Sequence, residues 1–468
     1  MRFILYGLLI IYQSVSLASL HQKIITLLSQ QDPTFTASII VQSVHTKKIM
    51  VNYRSNTLMI PASTQKLISA TAALQQLGPL YTFLTQIKIK GKIKNNVLEG
   101  DIIYVYSGDP TLTHDDLFTL TTALRNTGIR RIKGHIVLQA NHFSTTPYPP
   151  GWLWDDLSFA YAPPISSSNI DENKFSIQIE PSQKTGLPGG IQSNTPSALF
   201  HIENHTITVS SNHPHCTIRV YSGANNYYRI FGCLPKKSGV KYFTLAIKNT
   251  RSWSLYWIRQ ALHDLKITFI DTDHPSREQK TTLVGEHHSP PVKELIKKQL
   301  KDSDNLISES LLQAMIFQKK HHRDSWKKGI DILNSTLEKI HIRINKKQIH
   351  DGSGLSRYNL LSTNQLNQLL LTIYQQPSLE KYILPALSFA GIDGTLEHRL
   401  NERIFKNRVF AKTGSMHGIS SLAGFIHTNN NGIVSLALII NSALLPRQSL
   451  LTLQKKICNA IIIAKKEA

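Results

Sequence analysis

The sequence predicts an α+β fold, an antiparallel sheet flanked by helices and interrupted by a two-part insertion. Three observations carry this expectation. Residues 36–53 (TASIIVQSVHTKKIMVNY) alternate as a strand hairpin does, and a second hairpin, SLAGFIH with IVSLALIIN, lies near the C-terminus. Helical periodicity dominates from about residue 290. Residues 82–283 have another texture, short β-rich stretches broken by proline-rich loops.

At the N-terminus, Arg2 is a short positive region, Phe3 to Tyr12 an apolar core, and Ser16-Leu17-Ala18 a small-x-small cleavage site. This is the pattern of a signal peptide over 1–18, too short to span a bilayer, and it implies export. After the first hairpin Pro61-Ala62 breaks the chain. Ser63, Lys66, Leu67, Ala70, Leu74 and Leu77 then recur at helical steps until Gly78-Pro79 stops them. The insertion follows. FLTQIKIKGKI and VLEGDIIYVYSG read as strands, about 114–127 as a helix and RIKGHIVLQA as another strand. Residues 142–215 read as loop-rich, and strands resume over 216–248. The expected domains are thus a discontinuous one (19–83 and 286–468), an inserted α/β domain (84–163 and 250–285) and a nested β-rich domain (164–249). Helices are expected at VKELIKKQLKDSDN, at LISESLLQAMIFQ and through 325–340. VFAKTGSMHG leads into the last hairpin, whose turn is signalled by Asn431-Gly432. An amphipathic helix over about 447–465 closes the chain, with its apolar face and Cys458 turned into the domain.

The 468 residues carry 52 basic and 30 acidic side chains, a net charge of +22, yet only 18% of residues are charged. The excess reflects few acids rather than basic tracts, and no run of five Lys/Arg occurs. A nucleic-acid partner is therefore not expected, whereas a diffuse basic surface suits peripheral contact with an anionic membrane or cell wall. Cys216 and Cys233 lie 17 apart and flank strand-like sequence. They form either a short-loop disulfide or two separate buried thiols. The three cysteines and twenty histidines show no zinc spacing, so no metal or cofactor is expected.

Three short motifs carry chemistry. In Ser63-Thr64-Gln65-Lys66 the Ser and Lys share a helix face, at a helix start that favours developing negative charge. A Lys held away from water loses its preference for charge and can take the Ser proton. Ser303-Asp304-Asn305 lies between two helices and alone reads as an N-cap. Lys412-Thr413-Gly414-Ser415 ends an apolar strand before a hairpin. There a Gly lets a substrate backbone lie close, and the Lys and hydroxyls can hold a carboxylate. Together, in this order, they are the S-x-x-K, S-x-N and K-T-G set of penicillin-recognising serine acyltransferases.

Ser303 lies 237 positions after Lys66, too far for a compact β-lactamase. With IPASTQKLISATAALQQLGP, SGDPTLT, SDNLISESLL, DGSGLSRYNLLS, FAGIDGTLEHRL and AKTGSMHGISSLAGFI, the chain resembles the D-alanyl-D-alanine carboxypeptidase/endopeptidase family of low-molecular-mass class C penicillin-binding proteins. The resemblance implies a penicillin-binding transpeptidase/β-lactamase-like catalytic domain with a two-domain insertion. It implies Ser63 as nucleophile, Lys66 as its base, Ser303 as proton relay and Asn305 as ligand of the acyl-side amide. Lys412 and Thr413 would anchor the terminal carboxylate, and Gly414 and Ser415 would complete the binding strand. The backbone N–H groups of Ser63 and Ser415 would form the oxyanion hole, each donor contributing about 3–4 kcal/mol. Asp156 (with Asp155 as alternative), Tyr161 and Arg357 match positions that contact the diaminopimelate side chain, which narrows the implied export to a periplasm. Peptidoglycan peptides and β-lactams are the implied partners. His417 departs from the family, where a polar amide or similar residue is common.

Two other readings use the same residues. A serine β-lactamase needs a deacylating Glu-x-x-x-Asn element. Glu397 to Asn401 matches that string but lies 92 positions after Asn305 and 15 before Lys412, the wrong place. A wall-binding scaffold without turnover would have no need of the intact Ser63, Lys66, Ser303, Asn305 and Lys412.

Overall fold

The computed structural model describes residues 19–31, 34–140, 146–193, 195–272, 280–318, 326–442 and 444–466. The expected signal peptide over 1–18 lies outside the described residues. The two apolar hairpins, separated by most of the chain, form one six-stranded antiparallel sheet. Its strands are β1 (Thr36–Ser43), β2 (Ile49–Tyr53), β3 (Ser388–Phe389), β4 (Val409–Met416), β5 (Ile419–His427) and β6 (Ile433–Asn441), in the order β3-β4-β5-β6-β1-β2. β1 pairs with β6, Ile39 opposite Leu438, which closes the N-terminal end of the chain onto the C-terminal end. β5 and β6 join through five residues, 428–432, rather than the two-residue turn that Asn431-Gly432 predicts. The Thr428 N–H donates to the Gly432 carbonyl at the loop's closure.

The central strands are buried on both faces, and period-2 alternation sorts their side chains. Ile40, Ala423, Phe425, Ala437 and Ile439 enter one core with helices α2 (Lys66–Leu77), α3 (Val292–Lys301), α4 (Asn305–Gln318) and α5 (Thr363–Gln375). Ile39, Val41, Leu422, Ile426, Leu436 and Leu438 enter the other, under α6 (Arg447–Ile462) and the N-terminal helix α1 (Leu20–Ser29). The sequence reading misses that N-terminal helix, whose Ser19 cap and Leu20, Ile24 and Leu28 face are short signals beside the apolar run Phe3 to Tyr12. α2 is small-residue rich (Ser69, Ala70, Thr71, Ala72, Ala73) and almost wholly buried, so neighbours approach its backbone closely. Gly78, at φ +84°, ends it.

The insertion holds a second six-stranded sheet, from Leu84–Lys94, Val97–Tyr106, Arg131–Lys133, Ile136–Ala140, Thr268–Ile270 and Thr282–His288. RIKGHIVLQA is two strands, not one. Both run parallel to Val97–Tyr106, and the chain breaks at Gly134, where a Cβ would lie 2.1 Å from the Gly100 carbonyl oxygen. Helices His114–Asn126 and Thr250–Asp264 cover this sheet. Two three-stranded sheets complete the insertion: Lys174–Glu180 with Gly190–Ser193 and Lys241–Ala246, and His201–Val209 with Ile218–Ser222 and Tyr227–Pro235. Three of these strands fall within 142–215, which the prolines and glycines make read as loop. KFSIQIE nevertheless alternates in and out of the core. Cys216 and Cys233 are joined in a disulfide, and Cys458 is a buried free thiol.

Candidate active site

Ser63 sits in a single 3-10 turn, Ala62–Gln65, that leads into α2. The turn brings Lys66 back beside it. Lys66 is fully buried, and its ammonium has three donors and three acceptors: Ser63 Oγ at 3.0 Å, Asn305 Oδ1 at 2.5 Å and the Ser353 carbonyl at 2.7 Å. Burial lowers its pKa to about 8, although Asp351, Glu309 and Asp304 favour the charged form. At pH 7 about one such lysine in ten is neutral. A neutral amine 3.0 Å from a hydroxyl is a proton acceptor for it.

The second motif is both a cap and a wall. Asp304 Oδ1 accepts the Ile307 N–H at 2.8 Å and starts α4, as a capping residue should. Ser303 adopts φ +63°, a turn that separates α3 from α4 and exposes its hydroxyl side to a cleft. Asn305 uses both ends of its amide: Oδ1 accepts from Lys66, and Nδ2 donates to the Tyr161 carbonyl at 2.6 Å. One side chain therefore ties the buried lysine to the inserted loop.

The third motif lies on β4. β3 pairs with β4 only at Phe410 and Ala411, so among the described strands none pairs with Lys412–Ser415 on that side. Lys412 is fully buried and donates to the Thr413 carbonyl at 3.0 Å. Burial, then the positive charges of Lys66 and Arg399, hold its pKa well below the ordinary lysine value. Thr413 Oγ1 donates to Thr395 Oγ1 at 2.8 Å. A Cβ on Gly414 would lie 2.2 Å from Ser421 Oγ and 2.9 Å from the Pro61 carbonyl oxygen, so only glycine lets β4 press against the Ser63 turn. Ser415 is exposed at the strand end.

The outer residues form a less continuous set. Tyr161, half exposed, donates its hydroxyl to Asp156 Oδ1 at 2.7 Å and stacks on Phe159. Burial and the neighbouring Asp156 raise its phenol pKa, so it stays a neutral donor. Arg357 Nη1 donates to the His417 carbonyl at 3.1 Å, so it faces the end of β4 rather than Asp156 and Tyr161. A cleft of about 360 Å³ opens beside Tyr161, Ser303 and Asn305, with Glu172, Lys174 and Lys298 on its far wall. Asn401 lines another cavity, of about 570 Å³, against α6, and Glu397 is exposed. His213, Cys216 and Cys233 come within 4.8 Å of one another, but the sulfurs are bonded together, so neither is a thiolate for a metal.

From the loop 351–359 sequence reasoning took Arg357 alone and missed Asp351 and the Ser353 carbonyl. Asp351 is a buried hub. Its carboxylate accepts from Trp152 Nε1 (2.9 Å), Gln65 Nε2 (3.0 Å), Asn359 Nδ2 (2.8 Å) and the N–H groups of Gly354 (2.8 Å) and Ser356 (2.6 Å). Ser356 Oγ donates to the Pro150 carbonyl, and the Arg357 N–H to that of Gly151, so the loop also meets the insertion. The D-G-S-G string was visible, but the atom that touches Lys66 is a backbone carbonyl, which no side-chain motif announces.

Residues 20–459 match the D-Ala-D-Ala carboxypeptidase 3 (S13) family. The chain is 33% identical over 400 residues to D-alanyl-D-alanine carboxypeptidase DacB of Haemophilus influenzae, covering 84% of this chain and 82% of that one. It is 23% identical over 415 residues to D-alanyl-D-alanine carboxypeptidase of Actinomadura sp. strain R39, covering 85% and 76%. The crystal structure of penicillin binding protein 4 (dacB) from Haemophilus influenzae superposes with a TM-score of 0.85 at 30% identity, over 95% of this chain and 99% of that one. That protein has also been solved with a β-lactam bound (TM-score 0.81, 29% identity, 95% and 100% coverage). The penicillin-binding, transpeptidase-like fold with insertions is thereby shown, and the chain belongs to the D-Ala-D-Ala carboxypeptidase 3 (S13) family.

Proposed function

We propose that the protein is a serine-type D-Ala-D-Ala carboxypeptidase, D,D-endopeptidase or both, which cleaves peptidoglycan stem peptides and cross-links through an acyl-enzyme on Ser63. The observation that carries this reading is the buried Lys66 ammonium, shared between Ser63 Oγ and Asn305 Oδ1. Neutral Lys66 takes the Ser63 proton as Oγ attacks the carbonyl of the penultimate D-alanine. The backbone N–H groups of Ser63 and Ser415 receive the oxyanion. The C–N bond breaks, the proton reaches the leaving amine through Ser303, and D-alanine or a cross-bridge amine departs. Water then attacks the ester, returns its proton through Lys66 to Ser63 Oγ, and releases the shortened peptide. Lys412 and Thr413 hold the terminal carboxylate beside Gly414, and Asn305 holds the acyl-side amide. Asp156, Tyr161 and Arg357 contact the diaminopimelate side chain. A β-lactam carries the same carboxylate and strained amide, and it traps the ester.

The segments 19–83 with 286–468, 84–163 with 250–285, and 164–249 are the proposed domains, and residues 1–18 the signal that sends the chain to a periplasm. No described helix is long and apolar enough to cross a membrane. Peripheral contact with the wall or membrane through the basic surface is part of the same proposal.

Intact-mass measurement of the protein over time with benzylpenicillin tests the reading, with Ser63→Ala as control. A lasting adduct that requires Ser63 is expected, and purified muropeptides then separate carboxypeptidase from endopeptidase turnover. Rapid adduct loss with penicillin hydrolysis would instead make the protein a β-lactamase. A folded protein giving neither adduct nor hydrolysis would be a scaffold.

A further inference from the structure

Lys66 has three acceptors, and only two of them belong to the three motifs. The third, the Ser353 carbonyl, is 2.7 Å away and is held from behind by α4. Glu309, one turn into α4 and fully buried, turns both carboxylate oxygens onto that loop. Oε1 accepts the Ser353 N–H at 2.8 Å, and the Gly352 N–H reaches Oε1 at 3.0 Å and Oε2 at 2.9 Å. The fit leaves little slack. A Cβ on Gly352 would lie 2.7 Å from the Ser308 carbonyl oxygen, and one on Gly354 would lie 2.1 Å from the Ala62 carbonyl oxygen. The loop is thus clamped between α4 on one side and the Ser63 turn on the other. Asp351 accepts the N–H groups of Gly354 and Ser356.

We infer that Glu309 is a positioning residue for Lys66, acting through the Gly352–Ser353 backbone to aim the Ser353 carbonyl at the lysine. A carboxylate suits this place because both of its oxygens accept. Glutamine has the same shape, but its amide N–H groups would face the Gly352 N–H and leave a buried donor unpaired. Both Glu309 oxygens accept N–H groups, the pattern of the ionised form, although burial and the nearby Asp351 push its carboxyl pKa up. The environment has therefore kept an expensive group where an apolar residue would pack. The charged groups facing Lys66 are Asp351, Glu309 and Asp304, with Lys412 as the like charge.

This inference rests on Lys66 being the base, and the wild-type control separates the two ideas. The second-order rate of benzylpenicillin acylation is measured from pH 5 to 9, with thermal unfolding alongside. If wild type forms no Ser63 adduct, the functional reading fails and not this inference alone. With wild type active, Glu309→Gln is expected to lower the plateau rate at least tenfold. Its acidic limb should also move to lower pH by half a unit or more, because both lost interactions favour the lysine's charged form. A folded Gln variant with an unmoved limb, whatever its plateau, overturns the proposal: a purely structural loss lowers Tm and rate without touching the midpoint. If Glu309→Gln does not fold, Glu309→Asp decides. It keeps the charge but withdraws it by one methylene, and smaller changes of both quantities in the same direction are expected. An Asp variant that matches wild type in both refutes the role.

Discussion

Lys66 shows how one residue's surroundings set its own pKa, and with it the working pH that the proposed mechanism requires. Burial is the largest influence on it, and the carboxylates of Asp351, Glu309 and Asp304 only partly offset that, which leaves its pKa at about 8. As the proposed base Lys66 must be neutral to accept the Ser63 proton, so acylation by benzylpenicillin should rise with pH along a single limb with a midpoint near 8. A pH profile by intact mass checks this; a limb centred near 6 would point to a histidine instead. Lys66→Arg keeps the charge and the reach, but guanidinium does not deprotonate in proteins. It is expected to lower acylation by about 10²–10⁴, and a variant within tenfold of wild type would remove Lys66 from the base's role. The stability sign follows separately. The folded value lies below the ordinary 10.5, so between about 8 and 10.5 the unfolded chain binds more protons and Lys66 makes stability rise with pH.

At the scale of elements, what was legible in the sequence was whatever announces itself by side chains in a row. Ser63 with Lys66, Asn305 and the β4 strand are contiguous strings with distinctive chemistry, and the hairpins of the central sheet are long apolar alternations. Less legible were elements whose signal is diluted. The strands between 174 and 209 hide among prolines and glycines, and Gly134 breaks one apolar run into two strands. Glu309 looks like an ordinary polar position in SDNLISESLL, because nothing local tells that its helix face meets a loop more than forty residues on. Sequence left the Cys216–Cys233 pair open, and the disulfide closes the mouth of the Ile218–Ser222 and Tyr227–Pro235 hairpin. Its loop is short, so the cross-link should contribute about 3 kcal/mol to that module. The hairpin in turn supports the loop of Tyr161, since the Ser222 N–H donates to Ser158 Oγ at 2.9 Å. A Cys216→Ser/Cys233→Ser variant should lower the first thermal transition by several degrees while leaving the benzylpenicillin acylation rate within about threefold. Equal loss of both would mean that the hairpin's order reaches Ser63 through the Tyr161 loop, Asn305 and Lys66.

Over the whole molecule, the question is what keeps the insertion seated on the catalytic site. Asp171, Glu172 and Asn173 take φ of +53°, +55° and +51° in succession, a left-handed turn without glycine. Each such residue costs about 1–2 kcal/mol, so the turn persists because its surroundings hold it. Asn173 Nδ2 donates to the Pro164 carbonyl and to Asn169 Oδ1, and Asp171 binds His114. The turn projects Glu172 across the cleft to Lys298 of α3, at 2.5 Å, while Lys174 pairs with it from the insertion's own strand. Lys298 stands one turn before Ser303, so this ion pair fastens the insertion to the helix that ends at the second motif. Burial pushes the Glu172 carboxyl up, but the two lysines outweigh it and hold it below the ordinary value of 4.5. The stabilisation is therefore present above about pH 4.5 and is lost as pH falls through the lower folded value. Glu172→Gln is expected to cost about 1–2 kcal/mol and to slow muropeptide cleavage more than benzylpenicillin acylation, because the long substrate also needs the Tyr161 side of the cleft. Lys298→Gln should do the same, and the double variant should be no worse than either alone. Additive losses would show that the two side chains act separately, and the seating of the insertion would then rest on the bonds of Trp152, Pro150 and Gly151 to the loop 351–359 and of Tyr161 to Asn305.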